Sequence, residues 1–265
     1  MLIDPARLAA APISWGVCEV PGWGHQMAPD RVLAEMQQLG LDATEAGPPG
    51  WFPDGPRARI VAGFVAADDL EPVERQAAWL HAHGATVLSL GAGSAEGGYE
   101  ARTEPDEATW EAVGRVEDVC RRNGLTAAVH PHFGTRIEGE ADLRQLLHRT
   151  RVDVCLDTGH LLLGGADPTT IPIDRVALVH LKDLREDLAV EVRARRLGYR
   201  EAVARGLYPP LGRGDAPIAR VIQRLERGGY RGLYVLEQDC TLEVDPPEGQ
   251  GPIEDVRRSL EFLNA

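Results

Sequence analysis

The chain has 265 residues, 43% hydrophobic and 26% charged, with a formal net charge of -13. That length buries a large core and suits one α/β barrel or two compact domains, while the acidic balance argues against a nucleic-acid partner, because nonspecific binding to phosphate backbones is carried mainly by cations. No run approaches the roughly 20 apolar residues that a membrane helix needs, and Asp4 and Pro5 stand where a signal peptide has basic residues followed by an apolar segment; a cytoplasmic protein with no membrane partner is expected.

Read in chain order, short runs rich in Val, Ile, Leu and Ala alternate with longer amphipathic stretches, the pattern of a parallel sheet with crossover helices. A first strand is expected over Ala11–Gly16, then a helix over Pro29–Leu39 with Asp30 in its first turn and Gly40 past its end. Strands over Ala43–Ala46 and Ile60–Val65 flank AGPPGWFPDGP, which has no helical period. Leu70–His83 reads as a helix closed by Gly84, Thr86–Gly91 as a strand, Glu107–Arg122 as a helix closed by Gly124, and Thr126–Pro131 as a strand. The helix Glu140–Arg149 leads to the strand Asp153–Asp157, and Leu161–Asp174 lacks a good helix before the strand Val176–Leu181. Leu184–Arg213 mixes a charged helix with a Pro/Gly loop; a helix over Ala216–Gly228, a strand over Leu233–Gln238 and a helix over Ile253–Leu263 complete the chain.

Roughly eight strands is the number that closes a (β/α)8 barrel of about 250 residues. With no repeat, low-complexity tract or convincing linker, one domain over residues 1–265 is expected. Four cysteines, Cys18, Cys120, Cys155 and Cys240, contain no C-x-x-C pair and read as reduced thiols.

In a barrel of this kind the carboxyl ends of the strands point into one mouth, where active sites lie. Those ends read Trp15, Glu45, His130 and His132 in AAVHPHFGT, Asp157 and His160 in CLDTGH, His180 and Lys182 in LVHLKD, and Glu237 and Asp239 in YVLEQD. Each of the last four strands ends in a His, Asp or Glu, and residues two apart on a strand share a face. Carboxylates and imidazoles converging on one mouth need compensation, which a divalent cation supplies; a mixed oxygen and nitrogen donor set suits Mn, Co, Fe, Zn or Mg. Each residue alone is as well explained by a cap or a structural hydrogen bond; the coincidence on adjacent strands is what points to a metal.

The segments APISWG, TEAG, HPHFGT, LDTGHL, VHLKDLR, YPPLGRGD and GGYRGLYVLEQD, taken in order, resemble the xylose isomerase-like TIM barrels, a family of sugar isomerases, epimerases and endonucleases, and within it the inosose (2-keto-myo-inositol) dehydratase branch. The resemblance spans nearly the whole chain. It implies a divalent metal ion (Mn, Co, Mg or Zn) held by Asp157, His180 and Glu237, with His130 or Glu138 as the fourth ligand; many relatives carry a Glu where His130 stands. It implies a small-molecule sugar or polyol substrate, with Arg185 facing the pocket, and allows a homodimer; Trp15 and Glu45, from their strand-end positions, are the other candidate substrate contacts. The chemistry expected is proton abstraction beside a ketone with loss of a β-hydroxyl. Glu237 or His132 is the candidate base, and His160, His132 or Lys182 the candidate acid. A sugar isomerase or epimerase is the alternative, differing in where the proton returns. A phosphodiesterase like the apurinic endonucleases is disfavoured, since the segment before the last strand offers no further metal-binding acid.

Overall fold

The computed structural model describes residues 2–52, 55–93, 99 and 101–265. It contains nine parallel strands in the order β3-β2-β1-β9-β8-β7-β6-β5-β4. They are β1 (Leu8–Ala10), β2 (Ala43–Thr44), β3 (Arg59–Ile60), β4 (Ala62–Ala66), β5 (Val87–Gly91), β6 (Thr126–Val129), β7 (Asp153–Asp157), β8 (Val176–Leu181) and β9 (Leu233–Leu236). β3 pairs with β2 and β4 with β5, and only Val61 separates them. The expected strand Ile60–Val65 is therefore one stave that bends at Val61, each half serving a different neighbour, and the sheet curls into the barrel anticipated from the pattern.

The helices are α1 (Pro29–Gln38), α2 (Leu70–Ala82), α3 (Glu107–Arg122), α4 (Glu140–Arg149), α5 (Thr158–Leu163), α6 (Glu186–Arg193), α7 (Tyr199–Ala204), α8 (Ile218–Arg227) and α9 (Pro252–Asn264). Their faces follow from apolar spacing. In α8, Ile218, Val221, Ile222 and Leu225 recur at the helical period and all are buried, each such side chain contributing about 1.5–3 kcal/mol on transfer from water. Gly84 and Gly124 adopt the left-handed conformation expected past the ends of α2 and α3, with φ of 74° and 68°.

Two expectations are corrected. The first strand is Leu8–Ala10, and the stretch assigned to it is largely a 3-10 helix, Pro12–Trp15; Pro12 has no N–H to give a ladder, and its fixed φ suits the first turn of a helix. The interval after β7 holds a short helix, α5, capped by Asp157, whose Oδ1 accepts from the His160 amide at 2.8 Å. The charged stretch after β8 resolves into α6 and α7, which pack Ala189, Val192, Tyr199, Ala202 and Val203 with Trp23, Phe133 and Leu163 in a second apolar cluster. All four thiols are free, with Cys120 and Cys155 buried.

Candidate active site at the carboxyl ends of four strands

β6, β7, β8 and β9 lie side by side, and the two-residue period of a strand sorts their ends into two tiers. His130, Asp157, His180 and Glu237 form the inner tier. His130 N donates to Leu90 O at 2.9 Å and Glu237 N to Leu181 O at 3.1 Å, so both stand one step beyond their strands with the ladder still intact. Asp157 and His180 are direct partners across β7 and β8. Two residues further on come His132, Lys182 and Asp239, joined by His160 from the first turn of α5.

The inner tier is buried and acidic. His130 Nε2 lies 3.3 Å from Asp157 Oδ2, and His180 Nδ1 lies 2.7 Å from Glu237 Oε2 and 3.7 Å from Asp157 Oδ2. The other nitrogen of His180, Nε2, donates to Glu45 Oε1 at 3.0 Å. That bond puts the neutral ring's proton on Nε2 and turns the Nδ1 lone pair toward the carboxylates, and among the described residues Nδ1 has no hydrogen-bond partner of acceptable geometry. Burial pushes the His180 imidazole down, yet Cys155, Glu237 and Glu45 together raise it well above its ordinary value. For Glu237, burial pushes the carboxyl up, and the opposing pull of His180 and Lys182 prevails and holds it below the usual range.

Lys182 organises the outer tier. Its side chain is 0% exposed, and its three N–H bonds meet three acceptors: Asp239 Oδ1 at 2.6 Å, Glu237 Oε1 at 2.7 Å and His160 Nε2 at 2.9 Å. Burial alone would depress the ammonium; Asp157, Asp239 and Glu237 outweigh it and raise Lys182 well above the normal lysine range. His160 is pushed well below its ordinary value by burial, with His132 and Lys182 adding to the effect, and its Nδ1 faces the Tyr208 hydroxyl at 3.3 Å. His132 differs in being half-buried at the mouth. Its Nδ1 lies 2.8 Å from Phe133 O, so Nδ1 carries the proton and Nε2 is left as an acceptor; burial and then His130 push the ring down to about 3. Tyr199 on α7 donates to Asp239 Oδ2 at 2.9 Å, and its ring packs on Tyr99 and Trp23 at 4.7 and 6.3 Å between centroids.

The donor set fits a divalent cation. Glu45, Asp157, Glu237 and Asp239 are all buried; among the described residues Lys182 is the Lys or Arg side chain paired with Asp157, Glu237 and Asp239, and Glu45 pairs with His180. Even with His180 counted as an imidazolium, negative charge is in excess, and buried excess charge is costly. His130, Asp157, His160 and Glu237 also bring one ligand atom each within 4.8 Å of one another. Asp157 Oδ2 and Glu237 Oε2 are the carboxylate oxygens left over, since Asp157 Oδ1 caps α5 and Glu237 Oε1 holds Lys182, and His130 Nε2 and His180 Nδ1 stand beside them at 3.3 and 2.7 Å.

Other expected residues lie elsewhere. Trp15 is completely buried beneath the mouth, its indole N–H donating to Glu35 on α1 at 2.8 Å; with the strand ending at Ala10, Trp15 belongs to a helical turn directed at the core. Glu45 lies against His180, its Oε1 accepting from Nε2 at 3.0 Å. Arg185 opens α6 and pairs with Asp187 at the surface. Glu138 accepts from Gly134 N at 2.8 Å and neighbours Arg102 at 3.6 Å, so of the two alternatives for a fourth ligand His130 is the one in the cluster. Tyr199, Tyr208 and Thr158 were not anticipated, and Asp239 was noted only as a strand end. One signal was available: Lys182 is the chain's sole lysine, every other strongly basic side chain being arginine.

The architecture and the cluster at the strand ends define a (β/α)8 barrel with a buried His/Asp/Glu/Lys site at its carboxyl end, and the model of the xylose isomerase-like TIM barrel matches residues 20–265; the chain belongs to that family. Among individual relatives, the inosose dehydratase of Geobacillus kaustophilus is 30% identical, covering 92% of this chain and 91% of its own, and that of Lacticaseibacillus casei is 27% identical, covering 100% and 97%. The rhizopine catabolism protein MocC of Rhizobium meliloti is 27% identical over 88% of this chain and 81% of its own. In fold, the chain superposes on the probable 3-DHS dehydratase AsbF of Bacillus anthracis with a TM-score of 0.70 at 14% identity, covering 98% of this chain and 99% of that one. It superposes on the IOLI protein with a bound zinc atom with a TM-score of 0.65 at 11% identity, covering 96% and 95%.

Proposed function

We propose that this chain is a divalent-metal-dependent dehydratase acting on a cyclic polyol ketone of the keto-inositol class. The observation that carries the reading is the two-tier arrangement: four ligand-type side chains below, and a half-buried imidazole opposite a bonded ammonium above. The names of the inosose dehydratase relatives support the substrate class. So does the charge of the mouth. Lys182 spends its three N–H bonds on Asp239, Glu237 and His160, so this acid-rich pocket suits an uncharged polyol better than a sugar phosphate.

His130, Asp157, His180 and Glu237 would hold the cation, with Glu45 fixing the ring of His180. A bound divalent ion supplies Lewis-acid stabilisation for the negative charge that develops on a ketone oxygen. His132 serves as the base. Its Nδ1–H is committed to the Phe133 carbonyl, which leaves the Nε2 lone pair to take the proton beside the ketone. Burial keeps that ring neutral. Lys182 and His160 stand on the other side of the same tier, where the ammonium is the group that carries the proton a departing β-hydroxyl needs. Glu237 is tied by both oxygens, to Lys182 and toward His180, which makes it a ligand in preference to a base.

The test is incubation of Mn-loaded protein with 2-keto-myo-inositol. Ultraviolet absorbance of a conjugated diketone is the expected result. Ketose interconversion without that chromophore would reassign the site to isomerisation or epimerisation, and no turnover of any keto-inositol would remove the proposed substrate class.

A further inference from the structure

We infer that Gly159 is a positioning residue whose missing side chain forms the seat of Lys182. Lys182 reaches the outer tier by laying its aliphatic stem across the first turn of α5, directly over Gly159. A Cβ at position 159 would stand 2.7 Å from Lys182 Cγ, 3.0 Å from Cδ and 3.1 Å from Cβ. These atoms form the base and middle of the stem, so rotation of a flexible tip gives no relief. Neither end of the lysine is free to yield. Its ammonium is bonded to Asp239, Glu237 and His160. Its backbone is latched by the preceding residue of the same turn: Thr158 Oγ1 accepts from Lys182 N at 2.9 Å and lies 2.8 Å from Lys182 O and 3.3 Å from His180 O.

Every residue of Asp157-Thr158-Gly159-His160 thereby has a task toward the neighbouring strand. Asp157 faces the inner tier and caps α5, Thr158 clamps β8, Gly159 leaves room for the lysine stem, and His160 receives the ammonium. The fit also gives a steric reason for lysine at this one position in a chain that uses arginine everywhere else. A slim tetrahedral head meets three acceptors converging from three directions, a geometry the planar guanidinium fork does not match.

The inference rests on the proposed role of Lys182, but its test needs no substrate. Lys182 is the only lysine, so an N-hydroxysuccinimide ester has one side-chain amine to acylate, and mass spectrometry reads it directly. In wild-type protein with Mn present, Lys182 resists acylation. In Gly159→Ala the displaced lysine is expected to react about tenfold faster or more, the scale set by an overpacking clash. Acylation no faster than wild type would overturn the inference. Melting of Gly159→Ala, Lys182→Ala and the double variant covers the case in which the first fails to fold. If Gly159 serves to seat the lysine, removing the stem makes room for the new methyl, and the double variant melts with Lys182→Ala; a double variant that loses the full effect of Gly159→Ala again would contradict it. Failure of keto-inositol turnover in the wild type would refute the proposed reaction while leaving these readouts intact.

Discussion

Replacing Glu45 tests whether the residue acts through His180 or on the substrate. In the structure its Oε1 accepts from His180 Nε2 at 3.0 Å, and that bond reserves the Nδ1 lone pair for an ion. Without it the neutral ring is free to carry its proton on Nδ1, which blocks the ligand atom, and to rotate away from Asp157 and Glu237. Loss of such an outer partner costs about 10- to 100-fold in metal affinity, equivalent to about 1.4–2.7 kcal/mol. Glu45→Gln keeps an acceptor oxygen and loses the charge, so it belongs near the lower end; Glu45→Ala loses both and belongs near the upper. Calorimetric titration of chelator-treated protein with Mn at constant pH measures both. Wild-type affinity in Glu45→Ala, with a raised KM instead, would refute this reasoning and return Glu45 to the substrate.

His132→Gln removes the free Nε2 at the mouth and is expected to lower kcat by about 10²- to 10⁴-fold, while Mn binding by titration stays at the wild-type value; an equal loss of Mn affinity would place His132 among the ligands. Leu225→Ala empties a fully buried position on α8 and is expected to cost about 2–5 kcal/mol in urea unfolding, with Mn stoichiometry unchanged. Borohydride added during turnover is expected to leave Lys182 unmodified, because an ammonium shared by Asp239, Glu237 and His160 is not a free amine; a trapped substrate adduct on Lys182 would overturn its assignment as a proton donor.

The barrel was legible because each strand and helix carries its own period. α3 and α4 begin and end where their apolar spacing and flanking residues indicate, and β7 and β8 match the expected runs residue for residue. The first strand was misplaced because APISW is as apolar as a strand, and only Pro12 signals the turn into a helix. That displacement carried Trp15 away from the mouth. The inner tier was legible from strand ends alone, since parallel neighbours in one barrel bring their termini together. Contacts made across sequence were not: nothing local shows that Glu45 backs His180 across 135 residues, or that α7 brings Tyr199 to Asp239 across 40. α5 was too short for its period to register, and its meaning lies in its packing against β8.

The account stands on one shared ion. Anomalous scattering from crystals of the Mn-loaded protein, collected at the manganese edge, locates that ion without reference to activity. A single peak within coordinating distance of Asp157, His180, Glu237 and His130 is the result predicted. A peak at other residues, or none where these four side chains converge, would contradict it.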